Sequence, residues 1–175
     1  ALKADQLKVL STNQIVALST AQAAALTSAQ VAGLSPTQIT AMQTDDVAAL
    51  TNSALNALNA AQVKALTTAQ VVGLTTTQAG GLSKDFAAAL TSAQLKAMET
   101  ADLAKLGTSA VQALTNVALA GLTTSQVANM GTAQVAALTD VQIKQLSTAN
   151  IQAITSDQAK ALTGAQLGAM TSAQV

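Results

Sequence analysis

A large aliphatic residue returns every eight positions along this chain, from Leu2 through Leu10, Leu18 and Leu26 to Met170. Twenty-two positions keep the beat: seventeen Leu, four Met (Met42, Met98, Met130, Met170) and Ile154, with no insertion or deletion between them. So short a fixed period marks a repeat array, in which a unit unable to bury its own apolar face packs against its neighbours. Residues 1–175 therefore read as one continuous octapeptide-repeat array of 22 units, the last partial. The chain opens on Ala1 inside the pattern and neither end has the polar, atypical unit that normally caps a solenoid, so a longer array is expected.

Aligned on the beat, the consensus is Leu-Thr-Thr-Ala-Gln-Val-Ala-Ala. Position two is Ser or Thr in sixteen units and position five is Gln in fifteen. Ser or Thr followed three residues later by Gln is a capping box: the hydroxyl accepts a backbone N–H of the first turn and the Gln reaches back to the cap's own N–H. Positions one and six, on either side of the box, are the partners of a hydrophobic staple, and position six is apolar in every unit. Each octad thus reads as the start of a new helix. Pro36 sits directly after the cap Ser35, at the first helical position, which favours proline. All eight acids fall between the cap and the third helical position, whereas Lys8, Lys64, Lys96, Lys105, Lys144 and Lys160 fall in the last turn, as a helix dipole favours.

A single long helix does not suit the pattern. At about 100° per residue, an eight-residue period displaces the apolar stripe by about 80° per unit, so it winds around the helix and faces no one partner. A β-solenoid with Gln ladders fails because positions one and six have opposite parity, and Ala and Gln are poor strand formers. The expected fold is all-α: a solenoid or superhelix of very short capped helices, one per octad, two to four per coil. The aliphatic residues of positions one and six should point inward and positions three and seven outward. Stacked units should share backbone hydrogen bonds. Position eight is small, with Gly33, Gly73, Gly81 and Gly121 among its occupants, which suits a sharp helix end or a close backbone approach.

Composition narrows the function. Eight lysines balance eight acids, so no basic footprint for nucleic acid or anionic lipid exists. Cys and His are both absent, which removes disulfides and thiolate or imidazole ligands. No run approaches the roughly 18 apolar residues of a membrane span, and no secretory leader opens the chain. No catalytic, cofactor-binding or metal-binding residue is singled out, and the chain is not expected to be an enzyme. Ser and Thr recur at cap sites without a base beside them. The adjacent acids Asp45 and Asp46 read as first-turn helix residues, since a calcium site needs six or more oxygens. Phe86, the one aromatic residue, replaces a position-five Gln and reads as a repacked repeat, as do the box-less units around Ala54, Ala110 and Ala118. Ten position-three threonines, among them Thr76, Thr100, Thr124 and Thr148, offer a hydroxyl ladder that would suit ice or a polysaccharide.

The tract Ala65 to Val71 (Ala-Leu-Thr-Thr-Ala-Gln-Val), with echoes at Leu26 to Val31 and Leu122 to Val127, resembles octapeptide tracts of very large bacterial surface or secreted proteins of the adhesin-like kind. The resemblance spans the chain. It implies an extracellular or cell-surface repeat region serving as a rigid stalk or filament-forming segment. Self-association, end to end or lateral, is the expected partnership, with a surface glycan as a possible ligand and neither nucleic acid nor membrane insertion. The alternative is a glycan- or ice-binding surface presenting Thr rows.

Overall fold

A computed structural model describes residues 3–175; the first beat residue, Leu2, lies outside them. Within them the chain restarts a helix at every complete octad, giving twenty-one helices of four to six residues, and the last partial octad forms a turn. The restart is the capping box. In the second octad the Ser11 hydroxyl accepts from Gln14 N (3.3 Å), and Gln14 Oε1 accepts from Ser11 N (2.9 Å). Where the hydroxyl is missing but the Gln remains, at Lys3, Asn59 and Gly131, the Gln half persists: the cap N–H donates to a Gln Oε1 at 2.8 Å in all three. The cap residue holds extended φ/ψ, which turns the chain before the next helix begins. Pro36 occupies the expected first helical position.

Each helix packs on the third one after it, so a coil is three octads. Three parallel stacks result. The first is α1 (Ala4–Lys8), α4 (Ser28–Ala32), α7 (Asn52–Leu55), α10 (Thr76–Gly80), α13 (Thr100–Leu103), α16 (Thr124–Asn129) and α19 (Thr148–Gln152). The second is α2 (Thr12–Val16), α5 (Pro36–Ala41), α8 (Ala60–Ala65), α11 (Lys84–Ala89), α14 (Thr108–Ala113), α17 (Thr132–Ala137) and α20 (Ser156–Ala161). The third is α3 (Thr20–Ala24), α6 (Thr44–Ala49), α9 (Thr68–Val72), α12 (Ser92–Ala97), α15 (Asn116–Leu119), α18 (Asp140–Gln145) and α21 (Gly164–Ala169).

Between the stacks runs one aliphatic core from Leu7 to Leu146. Position six lies at its centre (Ile15, Val31, Val47, Val63 and Ile143 have no exposed surface), with position one packed beside it (Leu34, Met42, Leu66). Positions three and seven are exposed or half-buried throughout, as the pattern requires. A helix this short is unstable alone, because nucleation is costly and few bonds follow it; burial against the coils above and below sustains it.

Two expectations are corrected. Among the described residues the backbone hydrogen bonds outside the helices join residues three or four apart, so these coils share no backbone ladder; side chains join them. No described glycine has positive φ, so position-eight glycine serves close approach and not a left-handed helix end. A Cβ on Gly121 would lie 2.2 Å from Ser92 O, and one on Gly73 would lie 2.2 Å from Thr44 Cγ2.

Candidate functional site

The side chain with most to do is the position-five Gln, and its main task is invisible in a single octad. Gln126 shows the pattern. Its Oε1 accepts from Thr123 N (2.9 Å), closing its own capping box, while its Nε2 donates to Leu95 O (2.8 Å) and Met98 O (2.7 Å) in the preceding coil. Those carbonyls belong to positions six and one, 31 and 28 residues back. The same pair of bonds recurs at Gln38, Gln62, Gln70, Gln78, Gln94, Gln134, Gln142, Gln158, Gln166 and Gln174. The position-one carbonyl lies between two helices, where no helical N–H reaches it. The amide supplies that donor, and all of these glutamines are buried. A capping-box reading places Gln at a helix start and says nothing of this second bond.

Units lacking Gln break the ladder in different ways. Phe86 is 1% exposed, so it fills core space and is no surface anchor. The missing cap acceptor is replaced from the coil below: Asn56 Oδ1 accepts from Ser83 N and its Nδ2 donates to Gly81 O, both at 2.8 Å. Asn150 keeps a shortened version, with Nδ2 donating to Leu122 O at 3.1 Å. Asp45 and Asp46 part company: Asp45 is exposed, whereas Asp46 is buried with Oδ2 lacking any hydrogen-bond partner. Asp102 is equally buried. Desolvation, and after it the neighbouring Glu99 charge, push its carboxyl above the usual carboxylate range.

Surface features are few. The lower face of the first coil opens as a cleft of about 490 Å³ lined by Gln6, Leu7, Leu18, Gln22, Ala25, Leu26 and Gln30. Position-three threonines divide among the three stacks and form no single ladder. The longest unbroken row is Thr76, Thr100, Thr124 and Thr148, the first residues of α10, α13, α16 and α19. The Thr148 hydroxyl donates to Ala173 O (3.1 Å). Ion pairs between described side chains are Lys8–Asp5 (3.6 Å) and Lys160–Asp157 (3.1 Å), both exposed and worth little. Among the described residues no three of His, Cys, Asp and Glu gather as a metal-holding group, and no helix is long and apolar enough to cross a membrane.

The ALTTAQ repeat family matches residues 1–36, 39–84, 95–132, 118–148, 127–164 and 141–172 in tandem. The chain belongs to the ALTTAQ repeat family. No curated protein and no solved structure matches it. In this ALTTAQ array the longest unmatched stretch, 85–94, contains Phe86, where the Gln joint is replaced. Membership and fold together describe a structural repeat protein whose regular chemistry, the cap hydroxyl and the buried amide, is spent on holding the array.

Proposed function

We propose that this ALTTAQ array is a non-catalytic structural element, a rigid stalk or filament-forming segment of a bacterial cell-surface or extracellular protein. The amide joint supports this reading. Eleven buried glutamines from Gln38 to Gln174 bolt each coil to the one before it through paired carbonyls, which resists bending as well as unstacking. Serine and threonine hydroxyls at the caps are engaged with backbone N–H groups, and the balanced charge offers nucleic acid nothing to hold. Self-association end to end belongs to the same reading. Gln6, Gln14 and Gln22 are exposed, and Gln6 and Gln22 line the open cleft of the first coil, presenting the donor half of the joint that the eleven buried glutamines make. Contacts of this head-to-tail kind do not close and so build filaments.

Negative-stain imaging and light scattering of the chain test the proposal. Rods or fibres of uniform width are expected, and a Gln6→Glu, Gln14→Glu, Gln22→Glu triple variant should shorten them. Compact globules at every concentration and salt would end the stalk and filament reading. A second reading, glycan or ice binding, rests on the Thr76–Thr100–Thr124 row. Thr76→Lys with Thr124→Lys should abolish retention on a glycan array or inhibition of ice growth while the circular dichroism is unchanged; unaltered binding dismisses that row.

A further inference from the structure

At Asp46 and Asp102 the chain places an acid where the ladder needs a donor. Each of the eleven buried glutamines in the equivalent position gives N–H bonds to a carbonyl 28 residues back, and Asn150, no longer than aspartate, still reaches Leu122 O at 3.1 Å. The matching carbonyls are those of Leu18 for Asp46 and Leu74 for Asp102. A carboxylate has only acceptor oxygens, and set against a carbonyl it repels; a neutral carboxyl has one O–H to give. Both residues are only 2% exposed, which leaves little room for water to relieve the mismatch, and Asp46 Oδ2 is fully buried without a partner.

We propose that Asp102 is a proton-operated joint between coils: its neutral carboxyl donates to Leu74 O as Asn150 donates to Leu122 O, and its carboxylate releases that bond. The proton comes from solvent and only the carboxyl O–H bond is made or broken. The surroundings of Asp102 are otherwise neutral. α13 packs on α10 and α16, neither of which contains a charged residue, and Leu74, whose carbonyl accepts in the joint, directly follows α9 and Gly73, also uncharged. The charged groups nearby in the chain are Glu99 at the helix cap, which adds repulsion, and Lys96 and Lys105, both exposed.

The sign follows from linkage. The carboxyl binds its proton more tightly in the fold than in the unfolded chain, where it titrates near about 3.9. Stability from the joint is therefore complete below that value and is lost as pH rises through the higher folded-state value. An array built with such joints loosens at that coil toward neutral pH and tightens in mild acid.

Thermal unfolding of the full chain, followed by circular dichroism between about pH 3 and pH 8, tests this with Asp102→Asn, Asp102→Ala and the exposed control Asp140→Asn. Asn donates at every pH, so Asp102→Asn should melt about 2–4 °C above the parent at neutral pH, the gap closing in acid. Ala removes the charge without supplying a donor and should fall below Asn by a similar interval at neutral pH. Equal melting of parent and Asp102→Asn at all pH values, or of Ala and Asn at neutral pH, overturns the joint. So does a parent that gains the Asn melting temperature at neutral pH on adding sodium or calcium chloride when Asp102→Asn itself does not respond, since a cation then fills the gap. Carbon-13 NMR of the unmutated chain gives a readout independent of folding: the Asp102 carboxyl carbon should titrate above the exposed acids, and a midpoint among theirs refutes the proposal.

Discussion

Changing Gln126 to Glu separates the two tasks of the position-five side chain. Glutamate keeps an oxygen for Thr123 N and adds a charge favourable at a helix start, so the cap survives. It loses the N–H groups that reach Leu95 O at 2.8 Å and Met98 O at 2.7 Å. Two carbonyls in the preceding coil then lack their amide donor, and a carboxylate 98% buried faces them. An orphaned buried polar group costs roughly 1–3 kcal/mol, and an uncompensated buried charge adds to it, so the loss at neutral pH is about 3–5 kcal/mol. For a chain of this size that is a fall of roughly 6–20 °C in melting temperature. The control is Gln14→Glu. Gln14 closes the box with Ser11 in the same way but is exposed, and the change should stay within about 0.5 kcal/mol. Circular dichroism melts of both variants at neutral pH decide the matter. If the two shift alike, or if Gln126→Glu melts within roughly 2 °C of the parent, the amide is a cap and nothing more.

Gly121→Ala and Gly168→Ala should move stability in opposite directions. The first drives a Cβ to 2.2 Å from Ser92 O and should cost about 1–3 kcal/mol, while the second meets nothing within 4 Å and should gain up to about 1 kcal/mol from helix propensity; urea titrations compare them. Asn56→Ala should cost about 1–3 kcal/mol, because Ser83 N and Gly81 O lose their partner together, and hydrogen exchange should quicken at Ser83. Thr91→Ala removes a cap hydroxyl and should cost about 1 kcal/mol, with Gln94 still joined to Val63 O and Leu66 O.

Local chemistry made the helix restarts legible in advance. Ser11, Ser35 and Thr67 cap where the pattern puts them, and Leu34, Val63 and Ile143 face inward. The coil size was not legible, since three octads per turn depends on how neighbouring helices seat, which no single unit encodes. The inter-coil amide left one trace: position five is Gln fifteen times and Glu never, although either would serve a capping box. A group that must only accept tolerates a carboxylate; one that must also donate does not. The same logic would have marked Asp46 and Asp102 as misfits, where periodicity alone sorted them with the helix-start acids. Phe86 read correctly as a repacked unit, but its remedy lies 27 residues earlier at Asn56, too far for any local pattern to show.

The direction in which the glutamine amides point bears on how such a chain is made. In the eleven buried position-five glutamines each Nε2 reaches 28 and 31 residues toward the N-terminus and none reaches toward the C-terminus. A ribosome therefore releases every acceptor carbonyl before the donor that will claim it. The earlier turn stands as a finished platform on which the next settles, so this polypeptide can wind itself up during synthesis, one storey at a time, without waiting for its far end.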